Sequence, residues 1–102
     1  MNTPTQGDVY LVSLDPTVGT EMGKRRPCII VSNDYANSAS NRVSIAPVTS
    51  ANITNIYPFE VFLPAKSVTG LDCDSKVACD QVRSIDKSRL RGKLGSLSLD
   101  SM

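Results

Sequence analysis

The chain contains no histidine and no tryptophan. Without imidazole there is no histidine acid/base pair, no Ser-His-Asp or Cys-His nucleophile, and no imidazole-bound metal. A four-ligand zinc site would have to be completed by a carboxylate, because cysteine is also scarce. The three cysteines, Cys28, Cys73 and Cys79, are odd in number and form no CxxC pair, which argues against a disulfide framework and a dithiol redox site. Cys28 lies inside the run CIIV and reads as a small buried hydrophobe. No stretch approaches the ~20 apolar residues of a membrane span. The start, MNTPTQGDVY, has neither the basic region nor the apolar core of a signal peptide. A reducing cytoplasm is the expected compartment.

What is present suits a single domain over residues 1–102, with 40% apolar and 21% charged residues. Strand-like runs recur at short spacing. DVYLVSL (8–14) ends at Asp15-Pro16, a turn signal. Residues 15–26 carry Gly19, Gly23 and few apolar side chains, and predict a long exposed loop of the kind that is often functional. CIIVS (28–32) reads as a buried central strand with Pro27 just before it. NDYANSASN (33–41) suggests a turn of helix capped by Asn33 or Asp34, then a loop. VSIAPVTS (43–50) is a third strand, bent or bulged at Pro47, and FEVFLP (59–64) alternates as a half-buried strand through Phe59, Val61 and Leu63. KVACDQVRSI (76–85) reads as a fifth strand, DKSRLRGKL (86–94) as a short helix capped by Asp86 and stopped by Gly92, and LGSLSL as a last short strand. Five or six short strands with small helices predict a compact, strongly bent antiparallel barrel.

The 11 Lys+Arg and 10 Asp+Glu give a formal net charge of +1, yet the charges are segregated. Arg83, Lys87, Arg89, Arg91 and Lys93 stand against Asp86 alone, whereas Asp72, Asp74 and Asp80 surround Lys76. Lys24, Arg25 and Arg26 join the long loop to a buried strand, and Pro27 biases the backbone of Arg26 toward extended geometry. A solvated face explains the C-terminal cluster as well as a binding groove does. Only Tyr10, Tyr35, Tyr57, Phe59 and Phe62 are aromatic. Any stacking on nucleobases rests on these rings or on arginine planes.

In order along the chain, GDVYLVSLDPTVGTEMGKRRPCIIVSND, SIAPVTS, YPFEVFLPA and CDQVRSIDKSRL resemble the MazF/PemK (Kid-like) toxins of bacterial type II toxin–antitoxin systems. The likeness runs from about Gln6 to Leu97. It implies a mainly β, SH3-like antiparallel barrel with one or two short helices, assembled as a homodimer. The implied activity is metal-independent, sequence-selective cleavage of single-stranded RNA, with no cofactor. The implied partner is a cognate antitoxin of MazE/PemI type, whose acidic or apolar tail covers the active site. Carried over residue by residue, Arg26 falls on the catalytic arginine of the RP pair and Thr49 on the threonine paired with it in the MazF branch. Asp80 falls on the acid used in the Kid branch, and Gln81 and Arg83 continue that motif. Lys24, Arg25, Thr20, Ser50 and Tyr57 fall on the walls of the implied RNA groove. Thr20 and Ala78 stand where Kid-type enzymes carry a histidine and an arginine, so the Arg26–Thr49 pairing is the firmer transfer. The chain stops at Met102, where relatives usually continue into a further helix.

Metal-free RNA cleavage proceeds by attack of the 2′-OH on the adjacent phosphorus, giving a 2′,3′-cyclic phosphate and a 5′-OH. It needs a base, charge neutralisation on the phosphorane and a proton for the leaving oxygen. Arg26 suits the phosphorane, because its guanidinium stays protonated and forks onto phosphate oxygens. Thr49 can donate to the same phosphate. Asp80 is a candidate base, or else an ion-pair partner of Arg83 or Arg26. Gln81 can read a base edge or cap the sheet. Two other classes stay open: a gyrase-poisoning toxin, disfavoured by the missing tryptophan and tail, and a non-catalytic RNA- or protein-binding barrel.

Overall fold

In a computed structural model, which describes residues 3–15, 19, 23–65 and 69–97, the chain is mainly β and all its strand pairs are antiparallel. The strands are β1 (Asp8–Ser13), β2 (Arg25–Ile30), β3 (Arg42–Thr49), β4 (Glu60–Leu63), β5 (Ser75–Ala78), β6 (Arg83–Asp86) and β7 (Leu90–Ser96). One short helix, α1 (Asp34–Ala39), precedes β3, and 3-10 turns span Cys79–Gln81 and Lys87–Arg89. The hydrogen-bonded path runs β4-β5-β3-β2-β1-β7, with β6 branching from β3. The mainly antiparallel β architecture is as expected, and among the described residues the two ends of the path, β4 and β7, are not paired with each other, so the sheet is not closed.

Strand alternation builds a core on each side of that sheet. Tyr10, Val12, Leu14, Cys28, Ile30, Val43, Ile45 and Ile85 pack together on one face, with Leu90 against them. Val9, Ile29, Ala46, Val48, Leu63, Leu71 and Val77 form the second core. β1, β2 and β3 contribute to both, which explains why their sequences read as nearly continuous apolar runs.

Helix α1 forms where its cap predicts. Asn33 Oδ1 accepts from the Ala36 amide at 2.9 Å, satisfying one of the first-turn donors. The buried Asn37 donates to the Ser32 carbonyl at 3.0 Å and shares a short hydrogen bond with the Ser32 hydroxyl. That hydroxyl oxygen accepts from the Ser44 amide at 3.1 Å, fastening the helix to β3.

Several boundaries depart from the sequence reading. Residues 76–85 are two strands, β5 and β6, separated by the Cys79–Gln81 turn. Both lie along one edge of β3, β6 pairing with Arg42–Ile45 and β5 with Val48–Thr49. Pro47, which has no amide to donate, sits at the changeover. Residues 86–94 are not a helix: Asp86 caps only the 3-10 turn, accepting from the Ser88 amide at 2.9 Å, and β7 runs straight through Gly92 to pair with β1. β2 begins at Arg25, so Pro27 lies within it, opposite Leu11. In β4 only Leu63 is buried; Phe59 and Val61 stay about half exposed.

Candidate active site

The β2–β3 register pairs Cys28 with Pro47. The ladder ends there; Arg26 lies two residues before Cys28 on β2 and Thr49 two residues after Pro47 on β3, each on the same face as that pair. Thr49 in turn pairs with Lys76, and Lys76 with Phe62. Thr49, Lys76 and Phe62 therefore form a transverse row on one face of the sheet, the side of the first core, and Arg26 leaves β2 on that same face. Arg25, one position earlier, leaves on the other face and is exposed.

Arginines converge at the root of the β1–β2 connection. Arg26 Nε donates to the Gly23 carbonyl at 3.1 Å, and Arg83 Nη1 to that of Leu14 at 3.2 Å. Arg89 Nη1 donates to the carbonyls of Ser13 at 3.3 Å and Asp15 at 2.7 Å. The Leu14 amide closes the root by donating to the Lys24 carbonyl at 2.9 Å, where Lys24 holds a positive φ of 64°. The Cys28 thiol feels this charge. Burial pushes its pKa up to about 12, with Arg26 and then Arg83 pulling the other way. Both guanidinium groups thus act on one point beneath the sheet.

Thr49 ends β3, and its Oγ1 accepts from the Ala51 amide at 3.1 Å. That bond uses an acceptor lone pair and fixes the side chain, leaving the hydroxyl proton free to be donated elsewhere. Arg26 and Thr49 also border a cleft of about 390 Å³, together with Pro27, Val48, Ser50, Gly70, Leu71, Asp72, Cys73, Ser75 and Leu94. Val48 and Leu71 belong to the second core, so this cleft wraps around the strand ends from the opposite side.

The other sequence-predicted residues are placed as follows. Ser50 is exposed and borders the cleft. Asp80 and Gln81 occupy the 3-10 turn between β5 and β6, Asp80 exposed and Gln81 half-buried; neither borders the cleft. Tyr57 lies beyond Thr49 on the loop that follows β3. Thr20 falls outside the described residues. The basic C-terminal cluster is divided in use: Arg89 grips the loop root, Lys93 pairs with the buried Asp8 at 3.3 Å, and Arg91 bonds locally to the Ser88 carbonyl at 3.0 Å.

One central group escaped the sequence reading. Lys76 is only 4% exposed. Its Nζ lies 2.9 Å from Glu60 Oε1 and also donates to the Asn52 carbonyl at 3.3 Å and the Asn55 carbonyl at 3.4 Å. Glu60 Oε1 further accepts from the Tyr57 amide at 3.0 Å. That amide first, and Lys76 next, hold the Glu60 carboxyl below the usual carboxylate range. The available signal was the alternation itself, which sets Lys76 and Glu60 on the same face of adjacent strands.

Residues 5–102 match the family model of the PemK-like, MazF-like toxins of type II toxin–antitoxin systems. The chain belongs to this family. It is 42% identical over 98 residues to the endoribonuclease MazF9 of Mycobacterium tuberculosis, covering 91% of this chain and 81% of that protein. Its fold is similar to the crystal structure of MazF from Deinococcus radiodurans, with a TM-score of 0.83 and 31% identity, covering 99% of this chain and 87% of that one. A MazE–MazF structure from the same organism matches with a TM-score of 0.74 and 32% identity, covering 99% and 86%. Among the described residues no helix is long and apolar enough to cross a membrane.

Proposed function

We propose that this chain is the toxin of a toxin–antitoxin pair, an endoribonuclease that cuts single-stranded RNA without a metal or cofactor. The observation that carries this reading is the cleft that Arg26 and Thr49 both border, in a chain 42% identical to a named endoribonuclease. The Arg26 guanidinium supplies permanent positive charge to the phosphorane, and the oriented Thr49 hydroxyl adds a neutral donor. Arg83, whose guanidinium braces the Leu14 carbonyl at the loop root, is a candidate RNA contact. The 2′-hydroxyl loses its proton as its oxygen bonds phosphorus, and the bond from phosphorus to the 5′-oxygen breaks as that oxygen gains a proton. Asp80 is kept as the candidate base. Lys24, Arg25, Ser50, Gln81 and Tyr57 are the other candidate RNA contacts in this reading; Ser50 borders the cleft, and Thr20, the other residue expected there, lies outside the described residues.

The working unit in this reading is a cytoplasmic homodimer of single-domain subunits, with an antitoxin of MazE/PemI type as its partner. The MazE–MazF structure that this chain resembles supports that partner. The test is to incubate purified protein with a long single-stranded RNA in EDTA and to map the new ends. The expected ends are 2′,3′-cyclic phosphate and 5′-OH, and deoxyribose at the cut site should abolish cutting while preserving binding. Absolute dependence on Mg²⁺, or 5′-phosphate ends, would contradict the mechanism.

A further inference from the structure

Arg26 and Thr49, which border one cleft, provide for phosphate in this reading, and Thr49 heads the row Thr49–Lys76–Phe62. Its far end is different in character. The loop leaving Thr49 folds back over the same face and covers Lys76, which is why a lysine in a short strand is only 4% exposed. Lys76 Nζ bonds two carbonyls of that loop, Asn52 and Asn55, and the Glu60 carboxylate. Three bonds to protein acceptors use the three donors of the ammonium. Lys76 is therefore a clasp rather than a phosphate ligand.

The clasp holds two rings. Tyr57 and Phe59 stack with centroids 5.4 Å apart and planes within 2° of parallel. The Tyr57 ring centroid lies 5.8 Å from Lys76 Nζ, and the Tyr57 amide is fixed on Glu60. From the other side, the Cys79 amide donates to the Phe59 carbonyl at 3.2 Å. That bond ties the turn bearing Asp80 and Gln81 to the Phe59 backbone. Despite being held in so many places, Tyr57 and Phe59 remain 51% and 47% exposed. A rigid, flat, half-exposed pair presents a surface that a third flat ring extends with little ordering cost.

From these observations we infer that the Tyr57–Phe59 stack is a platform for one nucleobase of the single-stranded RNA, close to the phosphate held by Arg26. Lys76 is the positioning residue that fixes it. Continuity favours RNA over a protein occupant: adjacent strands are about 4.8 Å apart, so Lys76 lies one strand from Thr49 on the same face. The inference rests on the RNA-cleaving reading, and names the base-binding part of that site.

The test uses full-length protein and, once the cut site is mapped, a strand with deoxyribose at that site and 2-aminopurine at successive positions. Wild type should quench 2-aminopurine strongly at one position beside the cut. Tyr57→Leu should lose that quench and weaken binding about 5- to 150-fold, the range for removing one base–aromatic stack. Tyr57→Phe should restore the quench. Lys76→Met should weaken it while Tyr57 is still present, provided melting shows the variant folded; the Tyr57 pair decides the matter where it is not. Wild-type binding and quench in Tyr57→Leu would overturn the platform. So would unchanged RNA binding together with an altered mass in solution, which would assign the rings to a protein interface. Failure of wild type to cut RNA in EDTA would instead remove the reading beneath it.

Discussion

Cys28 is buried and its thiol is held protonated at neutral pH, whereas Cys73 and Cys79 are exposed. Only the thiolate reacts readily with disulfide reagents. Titration of native protein should therefore modify two thiols quickly and the third only on unfolding. Three fast thiols would mean that the floor beneath Arg26 and Arg83 is open. Arg26 itself was legible in the sequence, because it stands directly before Pro27 in a motif at family spacing. Lys76 was not. Counted along the chain it is one cation among aspartates, and its burial depends on a loop folding back from β3, which no local pattern encodes. Arg89 is a similar case: its hydrogen bonds reach 76 and 74 residues back along the chain.

Elements were read well where their signals are local. The Asn33 cap, the apolar runs of β1 to β3 and the Asp86 cap all lie where the sequence puts them. The C-terminal segment was misread because Gly92 is a poor helix residue in any fold, whereas the need of β1 for a partner on its second edge is a tertiary fact. Residues 76–85 read as one strand in the sequence because nothing within that segment marks the Cys79–Gln81 turn; the changeover shows only on β3, at Pro47. Gly70 shows how closely these late elements fit. It has φ +73°, and a Cβ there would collide with the Leu94 carbonyl oxygen of β7. Gly70→Ala should cost at least about 2 kcal/mol, combining left-handed strain with overpacking, or very roughly 10 °C in a melt. Gly92→Ala, with nothing within 4 Å, should change little. Equal melting temperatures for the two variants would contradict the contact between the Gly70 turn and β7.

At the scale of the molecule, a chain of net charge +1 gathers arginines on one side of an open sheet and sets the sequence-adjacent Arg25 and Arg26 on opposite faces. The mainly β class was legible because the short apolar runs of β1 to β3 encode it. The openness of the sheet was not, since closure depends on how β4 and β7 end. The most direct measurement is single-turnover cleavage of RNA in EDTA by Arg26→Ala, Arg26→Lys and Arg25→Ala, with melts to confirm folding. Arg26→Ala should lose at least about 10²–10³ in rate, and Arg26→Lys should recover little, because an ammonium cannot reproduce the fork. Arg25→Ala should lose only severalfold, by an amount that shrinks as salt rises. Equal losses at Arg25 and Arg26, or near-full activity in Arg26→Ala, would contradict the assignment of the site to this face.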